Sequence, residues 1–418
     1  MFKTGAQMTI LVLLAGLVLM RESRHEPLDA WDNAWADFLA MHSRHGQSLA
    51  PVTLVEIDDE SLQNHVWPWT PLDFSLFFQA VFPHQPKALA VPEVLDWNRL
   101  ALSVDQAQKL PQFENILRDS LRRAPNLLLG AELGFPDDPQ VAPKWQEVPL
   151  LRHVKGDLAN LVEFPIVEHQ PAEDYRLTAQ IGFTNLPAVH ERFNSVPLLF
   201  RHRGQVVPSF VLQAAMLWAQ LTPDAVKVEL GSHLTLGEKL RIPIDSRGRM
   251  RVDLGTPKTT FSFDDLLLAS EQIEAKNPPV VDLRKIKDTI VILARTDAEA
   301  RTLPLAARRN GSPGELFAAA IATIQNQSFI RRAPLWTEVL VLLAISLVSF
   351  RLPRVTKGRA LVLGFVTLAI YILLAMAVFN RWLMWLPGVL AFGMLGFAVI
   401  FRLAVRDAVG RPKKPVIL

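Results

Sequence analysis

The placement of four apolar stretches constrains this chain more than any motif does. One lies at residues 8–20, three crowd into 335–401, and 314 mostly polar residues stand between them. A helix needs about 17–25 apolar residues to cross the hydrocarbon of a bilayer. The layout predicts a large water-soluble domain held at both ends by a membrane, which favours a sensor or scaffold over a transporter or a free enzyme. With 418 residues the chain exceeds what one compact core usually holds, so at least two structural units are expected.

The first stretch, MTILVLLAGLVLM, follows Lys3 and runs into Arg21 without a small-residue cleavage site. It reads as an uncleaved anchor, a removed signal peptide being the other reading. The later spans are expected at 335–350, 360–379 and 382–401, with a short turn at Asn380 and Arg381. Between the second and third lie Arg351, Arg354, Lys357 and Arg359; after the fourth come Arg402, Arg406, Arg411, Lys413 and Lys414. Basic segments stay in the cytoplasm, so both termini are expected inside and the large domain outside, in the inner (cytoplasmic) membrane of a bacterial-type cell. The expected organisation is an anchor at 1–20, an extracytoplasmic domain at 21–334, three membrane helices at 335–401 and a basic tail at 402–418. The last three spans hold no Asp, Glu, Lys, Arg or His in their interiors, which argues against a pump or coupled transporter. Gly388, Ala391, Gly393 and Gly396 form a small-residue stripe, suited to packing within the bundle or to a dimer seam.

Residues 21–334 carry 33 Lys and Arg against 39 Asp and Glu, a net of −6. Nucleic-acid binding needs clustered positive charge, so that class is set aside. Cysteine is absent, which excludes disulfides and thiolate metal sites. Ten histidines occur without a His-x₃-His pair, so zinc is not expected. The sequence has no Walker loop, no HRD or DFG motif and no G-x-S-x-G elbow. The chain stops seventeen residues after the fourth span; no catalytic output and no cofactor are expected.

Within the large domain, residues 27–44 place Leu28, Trp31, Trp35, Phe38 and Leu39 at helical spacing, an amphipathic helix leaving the membrane. PVTLVEIDDESL, KALAVPEVLD and NLLLGAEL read as strands, separated by helices at 72–82 and 105–123. That alternation predicts parallel βαβ units, an α/β fold with a mixed, largely parallel sheet and flanking helices. RLTAQIGFTNLP, NSVPLLFRHRGQVV and LRIPIDSRGRMRVDL look like further strands, and 209–220 a helix. KIKDTIVILAR reads as a buried strand and PGELFAAAIATIQNQ as a helix capped by Ser312 and Pro313. Residues 134–149 are Pro-rich and expected as an exposed loop.

VTLVEIDDESL, then Trp67-Pro68-Trp69, a helix and ALAVPEVLD, resembles the second type of the CHASE family of extracellular sensory domains. IGFTN at 181–185, VPLLFRHRGQVVPSFVLQAA, FSFDDLLLAS, DLRKIKDTIVILA and PGELFAAAIATI keep the family's order. The resemblance covers about 28–330 and implies a sensory domain followed by a three-span region. Relatives usually continue into a cyclase, histidine kinase or Ser/Thr kinase domain. Residues 188–195 lack the acidic DxDG turn of the family, and 294–309 lack its glycine.

Candidate ligand residues gather at strand ends, where open α/β sheets bind. Asp58, Asp59 and Glu60 follow the first strand, and Glu93 and Asp96 the second; Asp297 is a third, weaker candidate. Three adjacent acids suit Mg²⁺ or Ca²⁺, or else Asp58 or Asp59 caps a turn and the rest are solvated. Trp67 and Trp69 offer an aromatic wall for an organic or cationic ligand, or cover a core or dimer face. GSPGE at 311–315 opens a helix and is read as a phosphate site or as a plain N-cap. The chain is thus expected to be a membrane-bound sensor in a lipid bilayer, signalling through a separate cytoplasmic or membrane protein partner and able to form a homo-oligomer. The alternative is an envelope assembly component that uses a degenerate sensory domain as an interaction module. A metal-assisted hydrolase rests only on residues 58–60 and is the third reading.

Overall fold

Residues 290–295 read Ile-Val-Ile-Leu-Ala-Arg, with no polar side chain until the last. Such a run suits a strand covered on both faces. In the computed structural model it is an interior strand of a seven-stranded sheet. The structure describes residues 2–22, 28–42, 52–97, 104–124, 126–136, 148–187, 193–255, 258–305, 310–352 and 355–404. Most of the Pro-rich loop, residues 188–192 and 306–309 of the divergent segments, and the tail from 405 onward lie outside them. The chain forms two compact units, 45–330 and 1–44 with 331–418.

The α/β unit is built on β1 (Val52–Ile57), β2 (Ala88–Val91), β3 (Leu127–Gly134), β4 (Ile166–His169), β5 (Gln180–Phe183), β6 (Thr259–Ser262) and β7 (Ile290–Arg295). Their order is β6-β1-β7-β2-β3-β4, with β5 also pairing β3. All these pairings are parallel except β3–β4. Alternation decides the two faces. Ile290, Ile292 and Ala294 of β7 join the helices Phe210–Ala219 and Pro313–Gln325 in one core. Val291 and Leu293 join Pro71–Val81, Val104–Arg123 and Phe263–Glu274 in the other. Each fully buried Leu or Ile of this kind stabilises by about 1.5–3 kcal/mol. The expected strands and helices are thus present, with β4, β6, the helix Phe263–Glu274 and the hairpin Val226–Glu229/His233–Leu236 in addition.

Local signals fix the helix starts. Asp73 Oδ2 accepts the Thr70 N–H (2.8 Å) and Oγ1–H (2.7 Å) ahead of Pro71. In GSPGE, Ser312 Oγ accepts the Glu315 N–H (3.2 Å) and Glu315 Oε2 accepts the Ser312 N–H (3.0 Å). This capping box fills the helix end with a carboxylate that also pairs with Lys258 (3.2 Å). The plain N-cap reading of GSPGE holds, because an anion there would meet Glu315.

The helical unit contains Phe2–Glu22, Leu28–His42, Leu335–Arg351, Lys357–Trp382 and Gly388–Ala404. Lys357–Trp382, at 26 residues, is long and apolar enough to cross a membrane. The other expected spans have apolar portions of 15–17 residues, at Gln7–Arg21, Leu335–Arg351 and Gly388–Ala404. Among the described residues one helix meets this criterion, not four. Prolines at 334, 353 and 387 explain the two later short lengths, since proline stops a helix that would otherwise extend. Asn380 and Arg381, expected as a turn, continue their helix; the chain reverses at Leu383, whose φ is 52°. Met384–Trp385 then pairs in parallel with Arg331–Arg332. The helix at Leu28–His42, expected with the soluble domain, packs within the helical unit.

The glycine stripe is used inside this unit: a Cβ on Gly393 would lie 2.7 Å from Leu19, and one on Gly388 2.6 Å from Trp35. Arg332 binds both Glu338 (Nε–Oε1 2.9 Å) and Asp32 (Nη2–Oδ2 3.2 Å), and both acids are fully buried. Asp32 Oδ1 also accepts the Val389 N–H (2.8 Å), and the Trp35 indole N–H donates to the Leu386 carbonyl (3.0 Å).

Candidate functional site

Because β1, β2, β3, β6 and β7 run parallel, their carboxyl ends lie along one edge of the sheet. That edge collects every acid singled out in the sequence, but it sorts them into two groups. Strand β7 stands between β1 and β2, so residues 58–60 are not joined by Glu93 and Asp96.

The first group is structural. Asp58 Oδ1 accepts the Ser61 N–H (2.9 Å) and Oγ–H (2.7 Å). Burial works against its charge, yet these bonds and one from Ser262 outweigh it and hold the carboxyl below its usual range. Asp59 Oδ1 accepts the Ala298 N–H (3.0 Å). Glu60 is exposed at the start of the short helix Ser61–Asn64. Asp297 is locked in a bidentate pair with Arg295 (2.7 and 2.6 Å), which lowers its pKa. Among the described residues no three His, Asp or Glu side chains gather as a metal site. The Mg²⁺ or Ca²⁺ reading of residues 58–60 therefore finds no donor set.

The second group surrounds a cavity of about 140 Å³, lined by Trp67, Trp69, Phe74, 93–97 and Glu132. Four of the sequence candidates, Trp67, Trp69, Glu93 and Asp96, meet there. The aromatic wall is rigidly held. Trp69 is 1 % exposed, and its indole N–H donates to the His65 carbonyl (3.0 Å). Trp97, missed in the sequence, donates its N–H to the Trp69 carbonyl (2.8 Å). Phe74 meets both indoles edge-on, at centroid distances of 5.5 and 5.9 Å, and Tyr175 closes on Trp97 at 6.1 Å. Trp67 is half-buried and stacks under the Arg295 guanidinium, 4.2 Å from its ring centroid.

The acidic side is set by the backbone. A Cβ on Gly130 would lie 1.9 Å from the Pro92 carbonyl oxygen, so only glycine lets β3 approach the end of β2 this closely. Two residues on, the β3–β4 register shifts between Glu132 and Leu133; such bulges re-aim side chains. Asn185, in the IGFTN segment, fixes this point by accepting the Leu133 N–H (2.8 Å) and donating to its carbonyl (2.7 Å). Burial raises the pKa of Glu93, Glu132 and Asp297 add to the rise, and Arg295 opposes it. Among the described residues neither the Glu93 nor the Glu132 carboxylate has a hydrogen bond or an ion pair. Gly130, isolated in an apolar strand, was the sequence signal for this crowding; Glu132 and Trp97 carried none.

The arrangement resembles a small-molecule site in kind: aromatic walls, few polar groups, at a sheet's carboxyl edge. No curated protein and no solved structure matches the chain. The parallel sheet, the Trp67-Pro68-Trp69 corner and the Ser312 capping box all lie within the span of one family model. The family model of the CHASE2 domain, a sensory domain of signalling proteins, matches residues 9–350, and the chain belongs to that family.

Proposed function

We propose that this protein is a membrane-held signal-input protein whose α/β domain lies outside the cytoplasm and whose response passes to a separate partner protein. Membership of a sensory family supports this reading, as do the apolar helix Lys357–Trp382 and the charge pattern, which favours four spans with both termini inside. The three shorter apolar portions, at 15–17 residues, would cross with local thinning of the bilayer.

The observation that carries the proposal is the Arg332 triad. Asp32 lies on the chain segment leading to the α/β unit, and Arg332 and Glu338 lie on the segment returning from it. One guanidinium therefore ties the outgoing and returning connections together within the helical unit. A change in the α/β domain that pulls on either connection acts on both. Any signal must still bind two arrangements unequally, or it shifts nothing.

The chain has no cysteine, so single-cysteine variants report topology directly. A thiol at position 380 should react with an impermeant reagent from outside, and one at 357 only after permeabilisation. Photo-crosslinking from the tail in native membranes should capture a kinase, cyclase or regulator. Capture of envelope proteins alone would replace the sensor with the assembly-component reading.

A further inference from the structure

We propose that the cavity between Trp67, Trp69, Trp97, Glu93 and Glu132 binds a small organic ammonium ion, about the size of tetramethylammonium or choline. This deepens the signal-input reading and rests on it for its biological meaning.

Size comes first. A cavity of about 150 Å³ holds a benzene-sized guest, and this one, partly open to solvent, is about 140 Å³. Larger organic ligands fill pockets of roughly 300–1,000 Å³, so the guest has on the order of five to eight non-hydrogen atoms.

Chemistry then selects among small guests. The Trp69 and Trp97 N–H groups are spent on carbonyls, so neither ring offers the cavity a donor. An anion would face Glu93, Asp96 and Glu132 with no such donor to meet it. A neutral apolar guest would remove water from the Glu93 and Glu132 carboxylates and give nothing back, which is costly. A bare divalent cation lacks a three-ligand set and makes no use of the rings. An ammonium satisfies both sides at once, lying over indole faces and beside carboxylates. Among the described residues Arg295 is the guanidinium that acts on Glu93, and it is no obstacle: its charge is taken up by the bidentate Asp297 pair.

The helical unit holds a protein-built counterpart. There Arg332 lies between two acids and over the Trp385 ring, 5.1 Å from its centroid. This chain thus already solves the problem of a cation between carboxylates and an indole.

The test uses the full chain in a maltoside detergent, which carries no ammonium group. Calorimetric titration and thermal unfolding would be run with tetramethylammonium, choline, glycerophosphocholine, Ca²⁺, and 3,3-dimethylbutan-1-ol as the uncharged isostere of choline. Saturable binding of tetramethylammonium or choline is expected, with no response to the isostere. Glycerophosphocholine binding as tightly as choline would assign the site to a lipid headgroup; weaker binding would assign it to free ammonium compounds. Glu93→Gln and Trp67→Leu should each weaken binding about tenfold, with ligand-free unfolding temperatures showing that both variants fold. No saturable response to either ammonium ion up to roughly 100 mM, an equal response to the isostere, or binding of Ca²⁺ alone would each overturn the assignment. The result needs no partner protein. Ammonium binding without a captured partner would remove the signalling reading and keep the site; a captured partner without ammonium binding would do the reverse.

Discussion

Acid meets tryptophan in two places in this chain, and the two are built differently. In the helical unit Asp32 and Glu338 are fully buried and share Arg332, which also covers Trp385. In the α/β unit Glu93 and Glu132 face a cavity walled by three indoles, and the neighbouring guanidinium belongs to Asp297. The first cluster is closed: every charge has a partner supplied by the fold. The second is open towards something the size of a few atoms. A closed cluster stabilises one arrangement, whereas an open one makes stability depend on what occupies it.

The largest expected effect breaks the closed cluster. Arg332→Leu strands two buried carboxylates and should cost about 3–5 kcal/mol, read as a lowered unfolding temperature in nanodiscs. Adding Asp32→Asn and Glu338→Gln to that variant should recover most of the loss, because the charges go together; no recovery would mean that Arg332 acts by packing. Trp69→Ala, removing a buried indole from the cavity wall, should cost a similar ~3–5 kcal/mol, whereas Trp67→Leu, at a half-exposed position, should cost about 1 kcal/mol.

A smaller effect sharpens the open cluster. Burial raises the folded-state pKa of Glu93 above the ordinary glutamate value of 4.5, so the folded protein holds that proton more tightly than the unfolded chain. Its penalty is absent below pH 4.5 and grows as pH rises towards the folded pKa. Glu93→Gln should therefore raise the unfolding temperature at pH 7.5 and leave it unchanged at pH 4; the same shift at both would place the effect outside ionisation. The smallest effect belongs to His202, remote from both clusters, whose Nδ1 bonds the Phe164 carbonyl (2.9 Å) and whose pKa burial lowers. Stability should be full above pH 6.5 and fall as pH drops from there through the folded pKa. His202→Gln should flatten that slope between pH 7.5 and 5.5, and His84, also lowered by burial, accounts for the part that remains.

Much of the α/β unit was legible because its strands obey simple rules. Apolar runs such as 290–295 gave buried strands, and Ser312 with Pro313 gave a helix start. The cavity was half legible: Trp67, Trp69, Glu93 and Asp96 stood out as residue types at strand ends. What the sequence withheld was strand order. Nothing in KIKDTIVILAR says that it inserts between the first two strands, yet that insertion separates Asp58 from Glu93. Glu132 was hidden for another reason, since its direction depends on a register shift that leaves no mark in the pattern. In the helical unit the stretch expected at 335–350 matches the helix Leu335–Arg351, whereas the helix expected from 382 begins only at Gly388, after Pro387.

That insertion also bears on how the domain comes into being. β1 and β2 are made early, but the strand that lies between them ends about 200 residues after β2. At ~5–20 residues per second the gap is about 10–40 s. Through that interval both strands have unpaired edges of the kind that recruit other chains, and the contacts that close the sheet span most of the domain, which slows folding. Production of this protein should therefore respond to chaperones that shield strand edges, and a rearranged gene placing residues 283–295 between β1 and β2 should shorten the exposure.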